Sequence, residues 1–404
     1  MRIEFPRSEL ANVGHGWTMV YGRRKVGKTY MLKRFVDWDV YLLVGQEGTV
    51  WVEGADLGRL DSMDTVINLV MGWLENGKTV IIDEFQRMSM GALERIASVH
   101  PDGRLILSGS SMGVMSRILG PGSPLLGRFR EKRVGLVRPE DLLGTLPKGL
   151  PLDYAPYLSD PWTAPLLGGK GILGDLHDLL GETVSTVPSL IGEIFHAEDR
   201  NLSEVYQGIL GCIGSGATRP AEIASTLYHR GVIKKDSASH VSPYIGALKE
   251  MGLVKELRVH GKKRSAYRIG SPAFWIYYYM ESQYGLERGL PKLSEVEDNL
   301  RRVHHLCIED YMVETVSKWL GGYLEYSFEP EIDGIIVDRK GRPKASIEVK
   351  WGRLRNADVD AFVEKTEHID APRYVVAKRA LKRDDVTIIT PGDLRSMFVG
   401  GKGS

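Results

Sequence analysis

Residues 20–35 read VYGRRKVGKTYMLKRF. The preceding stretch, Gly16 to Tyr21, is short and apolar enough for a buried strand, and Thr29 to Trp38 sets Met31, Leu32, Phe35 and Val36 at helical spacing. Between them, Gly22 to Thr29 fits G-x-x-x-x-G-K-T. Strand, glycine-rich loop and helix are the setting in which that motif holds a polyphosphate. Glycines let the backbone curl so that its N–H groups face inward, and the helix N-terminus adds partial positive charge. Gly22, Arg23, Arg24, Lys25, Val26 and Gly27 would then cradle ATP. Lys28 would reach its outer phosphates, and Thr29 would offer a hydroxyl to Mg²⁺.

A second motif follows at KTVIIDEFQ, residues 78–86. Thr79 to Ile82 is a β-branched apolar run, as expected of a parallel strand covered on both faces. Asp83 and Glu84 stand at its carboxyl end, where ligands sit in open α/β sheets. Asp83 would hold Mg²⁺ and Glu84 would orient the attacking water. A further strand, Arg104 to Ser108, runs into Gly-Ser-Ser, so Ser108 or Ser110 is a candidate γ-phosphate sensor; a cap or turn has the same signature. Arg128, after Gly127, suits an arginine finger or a plain surface arginine. The sequence leaves open whether it serves its own nucleotide or a neighbour's.

The phrases GRRKVGKT, VIIDEFQRM, LILSGSS and SPLLGRF, in this order and spacing, resemble the archaeal ATPase family, P-loop NTPases related to AAA+ and STAND proteins. The resemblance covers most of residues 1–200. It implies an ATP-hydrolysing core over 1–145 and a helical lid over 146–200, the latter around Leu166-Leu-Gly-Gly-Lys170.

The bulk properties set limits. A chain of 404 residues suggests two to three domains. Its net charge of +1 excludes a uniformly basic nucleic-acid binder, so any DNA contact must come from local patches. Cys212 and Cys307 lie too far apart for zinc spacing and suit a reducing cytosol. No apolar run reaches the roughly 20 residues of a membrane span, so a cytoplasmic protein without a membrane partner is expected.

Residues 201–285 read as a winged helix. Leu202 to Gly214, Ala221 to Leu227 and Val241 to Met251 have helical spacing. Gly252 to Arg258 alternates like a strand, Tyr267 to Ile269 can pair with it, and His260-Gly-Lys-Lys-Arg264 is a basic turn. The phrase LKEMGLVKEL is similar to many such domains. The third helix would enter a major groove, with Lys249 as its cation, and Lys262, Lys263 and Arg264 would meet phosphates.

Residues 286–404 carry two alternating strands, Ile332 to Asp338 and Lys344 to Lys350, joined by the turn Arg339-Lys-Gly-Arg342. If Asp338 pairs with Pro343, Asp333 falls opposite Glu348, and Lys350 shares their face. Two opposed carboxylates ask for a cation between them, Mg²⁺ or Mn²⁺. Asp…Glu-x-Lys on a hairpin resembles the PD-(D/E)xK nuclease core. That resemblance implies that Asp333 and Glu348 bind metal, that Glu309 in the helix His305–Trp319 is a further ligand, and that Lys350 activates water.

The expected architecture is therefore α/β. A P-loop NTPase parallel sheet with a helical lid is followed by a winged helix and a restriction-endonuclease-like domain. The expected function is ATP-dependent processing of duplex or branched DNA, with a nucleotide-switched DNA-binding regulator as the alternative. Homo-oligomerisation is left open.

Overall fold

The computed structural model describes residues 4–11, 13, 16–98, 102–110, 118, 120, 123, 125–196 and 203–398. The chain divides into two compact units, one built on Arg7–Leu136 and the other mainly on Val137–Gly192 and the chain from Asn201 onward.

The first unit is a seven-stranded sheet. Its strands are β1 (Thr18–Tyr21), β2 (Val40–Val44), β3 (Val50–Glu53), β4 (Gly58–Leu60), β5 (Thr79–Asp83), β6 (Arg104–Gly109) and β7 (Arg130–Arg133), in the order β4-β3-β2-β5-β6-β1-β7. Side chains alternate between two buried faces. Met19, Leu42, Ile82 and Leu107 enter one core, while Val20, Tyr41, Ile81 and Ile106 enter the other. Helix α1 (Lys28–Phe35) sends Met31 and Leu32 into the second core; α2 (Met63–Glu75) and α3 (Met90–Ser98) fill the first. This double burial is why the strands read as unbroken apolar runs. The sheet is mixed, where a parallel one was expected. β3 and β4 run antiparallel to their neighbours, because the link from Val44 to Val50 is too short for a parallel crossover.

In the second unit, α4 (Pro139–Leu143), α5 (Ala155–Leu158) and α6 (Ile172–His196) occupy the segment expected to be a lid. Its glycine pair has a structural use. The backbone N–H groups of Gly168, Gly169 and Lys170 all donate to the Asp175 carboxylate, which also accepts from the Tyr154 hydroxyl at 2.7 Å. The helices α7 (Ser203–Gly214), α8 (Pro220–His229) and α9 (Ala238–Glu250) precede an antiparallel hairpin, β8 (Val254–Val259) and β9 (Ser265–Ile269). After α10 (Pro272–Tyr284) comes α11 (Leu293–Leu320). It begins twelve residues before the expected helix, because the Glu295 carboxylate accepts from the Lys292 N–H and caps its first turn.

The remaining elements are β10 (Tyr323–Phe328), β11 (Glu331–Val337), β12 (Pro343–Lys350), α12 (Asn356–Lys365), β13 (Arg373–Ala377), β14 (Thr387–Ile389) and α13 (Pro391–Ser396). A second seven-stranded sheet runs β14-β13-β12-β11-β10-β8-β9. The hairpin of 254–269 is thus part of the same sheet as the C-terminal strands, through the parallel pairing of Glu325 with Arg258 and Tyr326 with Val259. That sheet crosses the boundary expected at residues 285 and 286. No helix among the described residues is long and apolar enough to cross a membrane.

Candidate functional site

In the first unit the loop leaves β1 and closes at Gly27, whose φ of 91° caps α1 in the left-handed region that favours glycine. Gly22 is required for a different reason. A Cβ there would lie 2.0 Å from the Val134 carbonyl oxygen. Gly22→Ala is therefore expected to push the loop off the strand beside it and to destabilise this unit by about 1–3 kcal/mol, read as a lowered melting temperature.

Lys28 donates to the Gly22 carbonyl at 2.8 Å and the Arg23 carbonyl at 3.0 Å, so its ammonium already lies within the loop. Burial pushes it down to about 8, against the pull of the Glu84 and Asp83 charges. Asp83 is fully buried, and one of its oxygens accepts from both the Thr29 hydroxyl at 2.6 Å and the Tyr41 hydroxyl at 2.6 Å. The Asp83 carboxylate beside the Thr29 hydroxyl is a hard-oxygen pair that fits Mg²⁺. Two non-glycine residues take left-handed backbone here, Lys25 (φ 65°) and Glu84 (φ 58°). Such conformations cost free energy and gather at working sites. The Glu84 carboxylate accepts from Gln86 at 2.6 Å and lies 3.7 Å from the Arg87 guanidinium.

Ser108 is level with Asp83 on the neighbouring strand and fully buried, and its hydroxyl has no hydrogen-bond partner among the described residues. Ser110 accepts from Gln86 at 3.3 Å. Ser111 and Pro124, which flank the two candidate phrases, lie outside the described residues.

Arg128 is placed away from the loop of its own chain. It donates to the Ala97 carbonyl at 2.6 Å, just ahead of β7. β7 starts level with Thr18, the first residue of β1, and runs parallel to it, whereas the loop leaves the far end of β1. Arg128 therefore stands at the amino edge of the sheet and cannot serve the nucleotide of its own chain.

Arg7 and Tyr41 carry no motif that would single them out in the sequence. Arg7 is buried against Glu9, donates to Gly135 at 2.7 Å and approaches the Val26 carbonyl of the loop at 3.5 Å, which braces the loop from behind.

In the second unit the β11–β12 register pairs Gly334 with Ile347, and continuing it by one residue sets Asp333 across from Glu348. The turn differs from expectation. A bulge pairs Val337 with Pro343, and Asp338 instead accepts from the N–H groups of Lys340 and Arg342. Gly334 has no room for a side chain, since a Cβ would lie 2.5 Å from Val313 on α11. That close approach brings Glu309, one turn earlier on α11, over Asp333. Burial and then the Asp333 charge push Glu309 up to about 8; burial and then the Glu348 charge push Asp333 up to about 6.

Glu348 is 3% exposed and is claimed by two ammonium groups, Lys350 at 2.7 Å and Lys365 of α12 at 2.8 Å. The expected metal trio Glu309, Asp333 and Glu348 is therefore not preassembled, and no three acidic, histidine or cysteine side chains among the described residues are arranged to hold a metal. The Lys350 and Lys365 ammonium groups compete with any metal ion for the Glu348 carboxylate. Asp333 and Glu309, which hold their protons more tightly because each is buried beside another carboxylate, suit a divalent ion in charge and ligand type.

Of the basic residues expected to meet DNA, Lys262, Lys263 and Arg264 are exposed at the hairpin tip. Lys249 is exposed but paired with Glu256 at 2.9 Å. Arg230, Lys234 and Lys235, exposed in the α8–α9 loop, add basic residues beyond those expected; the Lys-Lys dipeptide is their signal in the sequence.

Residues 15–135 match a family described as an AAA domain, under a third of the chain. An AAA-type ATPase domain is the coarse reading of this region. No curated protein matches the chain. Among solved structures it is similar to the Aeropyrum pernix ORC1 protein in complex with DNA, at 16% identity over 69% of this chain and 90% of that one, with a TM-score of 0.27. It is also similar to the ADP form of the Aeropyrum pernix ORC2 protein (12% identity, 72% and 88% covered, TM-score 0.31) and to Cdc6p from Pyrobaculum aerophilum (12% identity, 74% and 90% covered, TM-score 0.23). A likeness this loose carries no argument about function.

Proposed function

We propose that the chain binds and hydrolyses ATP and processes DNA, the first unit serving the nucleotide and the second the nucleic acid. The convergence of Lys28, Thr29 and Asp83 at the open end of β1 and β5 carries the reading. In it the loop amides and the Lys28 ammonium bind the phosphates, Thr29 and Asp83 hold Mg²⁺, and Glu84, fixed by Gln86, orients water. Mg²⁺ supplies charge neutralisation when bound. Ser108 reads the outermost phosphate through its unsatisfied hydroxyl.

Helices α7 to α9 with the β8–β9 hairpin serve as a winged helix. The exposed tip, Lys262, Lys263 and Arg264, meets phosphates and gives little base readout. Replacing all three by glutamine is expected to lower the slope of log affinity against log salt by about 3, roughly 0.9 for each phosphate no longer neutralised. Fluorescence anisotropy over a salt series measures it, and an unchanged slope would remove the tip from the interface.

The finer reading gives the second sheet a nuclease core, in which Asp333 and Glu348 hold Mg²⁺ or Mn²⁺ and Lys350 positions water for attack on a phosphodiester. One observation favours a second reading. Glu348 is already answered by two lysines, as suits a core that binds DNA without cutting it and responds to the nucleotide as a regulator. Cleavage assays on duplex and branched DNA, with and without ATP, decide between them.

A further inference from the structure

β12 and β13 end side by side, Lys350 paired with Ala377, and the next residue of each, Trp351 and Lys378, enters a cleft of about 330 Å³. Lys148, Asp153, Pro391 and Arg395 complete its working walls. All these residues belong to the second unit, and the carboxyl edge of parallel strands is where α/β sheets bind ligands.

The cleft is held in shape. One Asp153 oxygen accepts from the Trp351 indole N–H at 3.1 Å and from Lys378 at 2.7 Å, and His304 Nε2 lies 3.6 Å from the same oxygen. Lys378 sits over the Trp351 ring, 5.5 Å from its centroid. Arg395 donates to the Leu146, Pro147 and Leu150 carbonyls and so fixes the loop that carries the exposed Lys148. Three cations against one carboxylate leave the lining at +2. Trp351, Pro391, Leu150 and Leu152 supply apolar wall.

Such a lining fits a small ligand with a doubly charged anionic end and a flat apolar body. The volume is at the low end of the roughly 300–1,000 Å³ of ligand clefts, room for one nucleotide and not for a duplex. A terminal phosphate monoester carries about −1.5 to −2 at neutral pH, against one charge for an internal diester. We propose that this cleft binds the phosphate-bearing terminal nucleotide of a DNA strand, one residue beyond Lys350. The proposal rests on the DNA reading above only for the source of the nucleotide; a free nucleoside monophosphate presents the same chemistry.

The test uses the full chain and one internally labelled oligonucleotide carrying a 5′-phosphate, a 3′-phosphate or hydroxyls at both ends. Thymidine monophosphate is titrated separately by calorimetry. The wild type is expected to bind one phosphorylated form about tenfold more tightly than the hydroxyl form. Lys148→Glu is expected to erase that difference without moving the melting temperature, since Lys148 is exposed. Equal affinity for all three forms, still weakened by the hairpin-tip substitutions, would overturn the cleft and leave the DNA reading standing. Binding of thymidine monophosphate that Lys148→Glu abolishes, with no oligonucleotide bound, would overturn the strand end as source together with the DNA reading. If nothing binds, the cleft proposal is wrong.

Discussion

Lys28→Ala leaves a protein that folds and no longer takes up ATP. The Lys28 ammonium is held inside the loop by two of the loop's own carbonyls, at 2.8 and 3.0 Å, so little ordering remains to be done when phosphate arrives. Burial above all, and then Arg23 and Arg24, lower its proton affinity, while Glu84 and Asp83 raise it, so an anion entering between these charges keeps the amine protonated. Removing the charge takes away the one ammonium the reading sets at the outer phosphates and leaves the loop amides and the Thr29–Asp83 cation site to hold them. The expected loss is at least about a hundredfold in ATP affinity, or roughly 2.7 kcal/mol, with hydrolysis undetectable. Calorimetric titration measures the first and phosphate release the second. Lys28→Met, which fills the same buried space without charge, separates the electrostatic loss from any loosening of the loop. ATP taken up equally well by both variants would sink the nucleotide site.

What could be read in the sequence was what short-range chemistry dictates. Gly22, Gly27, Lys28 and Thr29 are fixed by the turn, the cap and the helix that follow one another in eight residues. Asp333 and Glu348 were legible because a hairpin carries its register across a short turn, and the bulge at Pro343 shifted the turn without disturbing the pairs beyond it. The missing partners come from chain that is distant in sequence. Tyr41 reaches Asp83 because β2 packs beside β5, with Tyr41 level with Ile81. Lys365 reaches Glu348 only because α12 returns over the sheet. Arg128 read equally as a finger or a surface arginine because glycine followed by arginine marks an exposed turn, and the direction of β7 sets that turn at the amino edge, away from the loop of its own chain. The joining of β8 to β10 depends on edge strands finding each other, and local periodicity carries no trace of it.

Asp333→Asn combined with Glu348→Gln is expected to abolish any metal-dependent cleavage of DNA by the wild type, a loss of about a thousandfold or more. The single substitutions should differ in stability, which gives the test a second readout. Asp333 is buried and faces the Glu348 charge, so a neutral amide there relieves both the burial cost and the repulsion and can still accept from the Val349 N–H, which now donates to it at 2.7 Å. Asp333→Asn should therefore melt at or above the wild-type temperature. Glu348→Gln does the opposite, because it leaves Lys350 and Lys365 facing each other with no anion between them, at a cost of about 1–3 kcal/mol. A protein that cuts, and a stable Asp333→Asn that does not, would tie the chemistry to this carboxylate and not to general unfolding. If the wild type leaves every DNA form intact with Mg²⁺ and with Mn²⁺, Lys350 and Lys365 hold Glu348 as a structural ion cluster. The second sheet then acts by binding alone, and the nucleotide-switched regulator is the reading that remains.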